Sequence, residues 1–126
     1  MSPVFIEAIG KKFPNQFKVE QDEGDSVIIF PAKSADFGDV IIEEESLGSY
    51  ILHVGKFTHS HFDMYGGSIE RQIKEAAENI SMWLKGIFAD QIVAYGGEWG
   101  GGCGWKEQLK DTKHDLYVWS GLYRKA

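Results

Sequence analysis

SIERQIKEAAENISMWLKGIF, residues 68–88, decides the fold of this chain. Its apolar residues include Ile69, Ile73, Ala76, Ala77, Ile80, Leu84, Ile87 and Phe88. They recur at intervals of three and four, which lays them along one stripe of an α-helix and leaves the charged residues on the other side. Ser68 is placed to cap the first turn. Glu70 and Lys74 stand in the favourable acid-first order four residues apart, worth about 0.3 kcal/mol. A helix of this length with one apolar stripe has to lay that stripe on something, and the natural partner is a sheet.

The flanking segments supply the sheet. FKVEQ (17–21), SVIIFPA (26–32), DVIIEEE (39–45) and SYILHVGKF (49–57) are strand-like: alternating or β-branched, and bounded by turn signals at Asp22-Glu23-Gly24-Asp25, Pro31 and Ser46-Leu47-Gly48. Short connections between successive strands predict antiparallel pairing. QIVAY (91–95) and LYVWSGLYR (116–124) read as later strands, and WKEQLKD (105–111) as a short helical turn. At the N-terminus, Ser2, which can cap a helix, and Pro3, which fits its first position, precede Val4, Phe5, Ala8 and Ile9 on one face and predict a short helix over about 3–12, stopped by Gly10 or Pro14. The expected architecture is α+β. A single domain over residues 1–126 carries an antiparallel sheet of about five to six strands, with the long helix on one face and the short helix beside it.

Composition agrees with that picture. The chain has 126 residues, of which 43% are hydrophobic and 25% charged, enough to build a core without staples. The net charge of −6 is uneven: residues 1–50 carry ten acids against four bases, whereas the remainder balances. An acidic half repels phosphate, which argues against nucleic acid as a partner, and it attracts basic protein surfaces. The single cysteine, Cys103, rules out an internal disulfide and a thiolate zinc cluster. No basic stretch followed by an apolar core opens the chain, and no apolar run approaches the ~20 residues of a membrane span. The expectation is a cytoplasmic protein that does not enter a membrane.

Chemistry concentrates in FTHSHFDMYGG, residues 57–67. If the strand that starts at Ser49 runs on to Asp63, then His59, His61 and Asp63 share one face, with the two imidazoles about 7 Å apart along the backbone. His53 would then lie about 20 Å from His59, too far to join them. Two imidazoles and a carboxylate are a ligand set that zinc accepts, so His59, His61 and Asp63 are the candidate metal ligands. The alternative is a strand end with polar, half-buried side chains hydrogen-bonded to backbone or carboxylates. The segment is similar to the T-H-x-H-x-D-H-x-G-G pattern of metallo-β-lactamase-type hydrolases, in which the His-x-His pair holds one metal and the Asp with the next His holds a second. Met64 stands where that pattern has its last histidine. The match spans about ten residues, no further ligand motif follows, and the chain is too short for that family's αββα sandwich. The family is not assigned.

A second candidate is GGEWGGGCGWKE, residues 96–107. It fits neither a P-loop nor a dinucleotide fingerprint. Its glycines call for close approach or unusual backbone, and Trp99 and Trp105, with Tyr95 just before, could form a binding lip. The competing reading is a bulged hairpin whose tryptophans fold back over the sheet. Cys103 has Lys106 and His114 within reach in sequence, but a small idle thiol is the default. Glu43-Glu44-Glu45 alternates on a strand, so the three cannot act as one site. Charge of that kind often protects an edge strand.

Without a complete catalytic motif, the sequence favours a small acidic domain that binds a protein, with a basic partner the one its charge would attract, and with no cofactor and no enzymatic role. Bacterial immunity and inhibitor proteins that neutralise a basic toxin are objects of that size and charge. Two other classes compete: a metal-dependent hydrolase built on His59, His61 and Asp63 with zinc, and a small-ligand binder using the glycine and tryptophan loop.

Overall fold

The computed structural model describes residues 1–22, 25–97, 100–109 and 113–126. The chain opens with α1 (Pro3–Lys12) and continues into β1 (Lys18–Asp22), β2 (Asp25–Phe30), β3 (Val40–Ser46), β4 (Ser49–Val54) and β5 (Thr58–Asp63). The long helix α2 (Ile69–Phe88) follows, then β6 (Ile92–Gly97), β7 (Gly100–Trp105), β8 (Leu116–Val118) and β9 (Gly121–Arg124). The expected α+β class is what forms. Strands β1 to β5 make an antiparallel meander in sequence order, and a second antiparallel sheet has the order β7-β6-β8-β9.

Helix α2 buries its stripe from Ile73 to Ile87, whereas Ile69, at the start of that stripe, is exposed. Ile73, Ala76, Ala77, Ile80, Leu84 and Ile87 are buried in one core with Ile28, Phe30, Val40, Ile42, Tyr50, Leu52 and Val54 from the five-stranded sheet. Ser68 Oγ accepts the Arg71 amide at 3.2 Å, and Lys74 pairs with Glu70 at 3.0 Å. Phe5 and Ile9 of α1, and Phe13 just beyond its end, enter the same core, so both helices lie on one face of that sheet. Ile92, Ala94 and Trp119 bring the second sheet into it.

Three local expectations are corrected. The Ser2 side chain makes no cap; instead the Ser2 amide donates to the Glu44 carboxylate at 3.1 and 3.2 Å. The strand carrying Glu43, Glu44 and Glu45 is the middle strand of five, not an edge. The segment 116–124 is two strands, because the chain turns at Trp119-Ser120 and pairs β9 back onto β8. Asp90 holds that turn: Ser120 donates to its carboxylate through both the amide, at 3.1 Å, and the hydroxyl, at 2.5 Å. Of the sequence turn Asp22–Asp25, residues 23–24 lie outside the described set.

Glu44 is the inward member of its triplet, and it meets Tyr50. The buried Tyr50 ring stacks on Phe5 with centroids 4.0 Å apart, and its hydroxyl donates to Glu44 Oε2 at 2.7 Å. Burial, then the bond to Glu44 and that group's charge, push the phenol well above its ordinary value of 10. The folded chain therefore keeps this proton after the unfolded chain has lost it. Above pH ~10 the unfolded state binds fewer protons, so stability falls as pH rises, by up to about 1.4 kcal/mol per pH unit. Urea unfolding across that range should show a steeper alkaline loss for the wild type than for Tyr50→Phe. Equal slopes would mean that the phenol titrates normally.

Candidate functional site

The histidines gather through a turn that the sequence reading did not place. The chain does not run straight from Ser49 to Asp63. It reverses at 55–57, where Gly55 takes φ 58°, and β5 pairs back along β4. His53 is thereby set directly opposite His59 rather than about 20 Å from it along one strand. The His53 and His59 rings lie 5.9 Å apart between centroids, and His59 and His61 lie 5.2 Å apart.

Strand alternation assigns these rings to the face away from the helices. Tyr50, Leu52 and Val54 point into the core, so Ile51 and His53 point out. Registers carry that face across the sheet. One row reads Lys18, Ile29, Ile41, His53, His59, and the next reads Glu20, Val27, Glu43, Ile51, His61. The apolar centre, Val27, Ile29, Ile41 and Ile51, is half-buried and belongs to neither core cluster. Around it stand Glu20, Asp25, Glu43, Glu45 and Asp63, with Lys18 paired to Glu20 at 2.9 Å. His59, His61 and Asp63 are exposed, a departure from the half-buried strand end read from sequence.

The outward glutamates meet the histidines. His53 Nε2 donates to Glu43 Oε1, and His61 Nδ1 lies 3.1 Å from Glu45 Oε1. The acid triplet is thus divided by the pleat: Glu44 anchors the core side, and Glu43 and Glu45 orient imidazoles on the outer side. A register irregularity between Glu44 and Ser46 accommodates the extra residue in β3. Among the described residues, no three His, Cys, Asp or Glu side chains are grouped so as to hold a metal ion. The hollow beside the histidines is shallow, about 230 Å³, lined by His53, Gly55, Lys56, Phe57, Thr58 and His59. On such an open face water screens each charge, whereas charge stabilisation of a transition state needs a water-excluded site.

The glycine-rich segment has a packing explanation. Strands β6 and β7 pair in continuous register from Ile92–Trp105 to Gly97–Gly100. A Cβ on Gly101 would be driven into the Phe57 and Tyr95 carbonyl oxygens, and one on Gly96 would stand 3.2 Å from the Phe57 ring. Phe57 also stacks on Tyr117 with centroids 5.2 Å apart. The glycines thus let the turn that places the histidines press against the second sheet. Trp105 lies over Gly86 of α2, where an added Cβ would come within 2.6 Å of its ring, and 6.1 Å from Trp83. Tyr95 stacks on His114 with centroids 5.1 Å apart. Trp99 lies outside the described residues. Residues 105–109 form the expected helical turn, with the Leu109 amide donating to the Trp105 carbonyl at 3.0 Å.

Cys103 is partly buried in β7, and burial pushes its thiol up. That is the opposite of what an activated thiolate needs. Among the described residues, no helix is long and apolar enough to cross a membrane. Comparison with protein-family models, with curated proteins and with solved structures returned no match for this chain.

Proposed function

We propose that this chain is a non-enzymatic recognition domain that docks a basic protein on the outer face of its five-stranded sheet. The observation that carries the reading is the face itself: Val27, Ile29, Ile41 and Ile51 at its centre, outside both cores, with Glu20, Asp25, Glu43, Glu45 and Asp63 around them. An apolar centre with a charged rim is the usual anatomy of a protein interface. Carboxylates of one sign select a partner of the other and speed the encounter. The charge bias of residues 1–50 supports the same choice, since four of those five acids lie there.

The test is capture from an extract of the cells that make the protein, comparing wild type with Glu20→Lys/Glu43→Lys. The wild type should retain a basic protein in about 0.1 M salt and release it as the Debye length shrinks from ~10 Å toward ~3 Å near 1 M. The reversed face should retain at least tenfold less, with its melting temperature little changed. Equal retention by both proteins would sink the proposal. Stoichiometric zinc in untagged protein, lost from His59→Ala/His61→Ala, would replace it with the metal-dependent reading.

A further inference from the structure

Next to the acidic face, two pieces of chain that are remote in sequence are locked together. They are the β3–β4 turn and the stretch 64–72, which runs from the end of β5 into the first turn of α2. The Met64 amide donates to the Gly48 carbonyl at 3.1 Å, and Gln72 Nε2 donates to the Gly66 carbonyl at 3.1 Å. Gly48 sits so close to Gln72 that an added Cβ would come within 2.8 Å of its side-chain oxygen. Asn79 Nδ2 reaches Met64 Sδ at 3.6 Å, and the Ser68 cap closes the helix start. Gly66 and Gly67, at φ 80° and 73°, let the chain turn between these restraints.

What this scaffold displays is apolar. Tyr65 is 86% exposed, Leu47 54% and Ile69 47%; Leu47 belongs to the β3–β4 turn, and Tyr65 and Ile69 to the stretch locked against it. A backbone tied on both sides of a side chain with no core of its own has already lost the freedom that binding would otherwise remove. Tyrosine is among the residues that most often dominate an interface, because a large rigid ring loses little entropy on docking. The patch adjoins the acidic face: Glu45 is two residues before Leu47, Asp63 two before Tyr65, and Asp63 is paired across to Ser49. Lys74 is paired with Glu70, and Arg71 lies against Gly67.

We infer that Leu47, Tyr65 and Ile69 form the anchor of the docking interface, with Tyr65 entering an apolar pocket ringed by lysine or arginine on the basic partner. This rests on the function proposed above. The charge of the ring follows from Glu45 and Asp63, which stand where the pocket's rim would close over the acidic face.

The experiment places a benzophenone amino acid at Tyr65 in one variant and at Ile51, in the middle of the sheet face, in another. Both are irradiated in the cells that make the protein. The expected result is one and the same basic protein cross-linked from both positions. The Tyr65 adduct should fall at least tenfold with Glu45→Lys/Asp63→Lys, and Tyr65→Ala should retain that protein at least tenfold less well at an unchanged melting temperature. Cross-linking from Ile51 alone would overturn the anchor and leave the proposed function standing. Cross-linking from neither position would overturn both. A Tyr65 adduct containing two copies of this chain, one with an acidic protein, or an adduct indifferent to the charge reversal would each overturn the assignment of a basic partner to this patch.

Discussion

Gly55→Ala is expected to lose about 3 kcal/mol of stability, far more than an exposed turn substitution ordinarily costs. Two terms add. Gly55 holds φ 58°, in the left-handed region, where a Cβ costs roughly 1–2 kcal/mol. The new methyl also has nowhere to go. It would collide with the Phe37 carbonyl oxygen and stand 2.9 Å from the Phe37 ring. Overpacking of that kind costs roughly 1–3 kcal/mol. The obstacle is backbone rather than a movable side chain, and that backbone is tethered: the Lys56 amide donates to the same Phe37 carbonyl at 2.9 Å. Phe37 cannot retreat, because it is fully buried and packs edge-on against Phe57 and Trp119 at 5.7 and 5.8 Å. Relief therefore requires opening the turn that places His53 opposite His59. Urea unfolding should show the loss, and the imidazole resonances of His53 and His59 should move well before unfolding. A loss under about 1 kcal/mol with those resonances unmoved would show that the turn tolerates a side chain, and that the cross-strand histidine pair does not depend on glycine there.

The turn also marks where sequence reasoning reached its limit. The helix 68–88 was legible because its cause is local and periodic: eight apolar residues on one stripe, a capping serine and a favourable ion pair. The first four strands were legible for the same reason, with alternation and short turn signals setting antiparallel order. In contrast, SYILHVGKFTHSHFD reads as one long strand, since nothing beside Gly55 announces a reversal. The reversal comes from Phe37, eighteen residues earlier, whose carbonyl binds the Lys56 amide. That contact is tertiary, and it moves His53 from an excluded position to a place beside His59 in the histidine row. Gly96 and Gly101 were visible as an anomaly, but their purpose was not, because the object that approaches them is Phe57 from the other sheet. The edge-strand reading of Glu43-Glu44-Glu45 failed on the same ground. Charge in a strand is equally compatible with a central strand whose outer face is open, and only the pairing of β2 and β4 on either side distinguishes the two.

Leu84→Ala should show that one core serves both sheets. Leu84 is fully buried on the α2 stripe, in the cluster that joins Leu52 and Val54 of the first sheet to Ile92, Ala94 and Trp119 of the second. Removing its isobutyl group leaves a cavity that a helix held on two sides closes only in part. Such substitutions cost 2–5 kcal/mol, and about 3 kcal/mol is expected here. For a chain of this size that is a drop of roughly 10 °C in melting temperature. The shape of the transition matters as much as its position. Because Trp119 and the β4 side chains meet in a single cluster, tryptophan fluorescence and far-ultraviolet dichroism should lose their native values together, in the variant as in the wild type. If the second sheet were held by Val93, Leu116 and Val118 alone, the cavity would melt the helix and first sheet early and leave a later transition behind. That separation would also bear on function. The glycine strands buttress the Phe57 turn, so a second sheet able to part from the first would let the turn open and dissolve the histidine row without unfolding the acidic face around it.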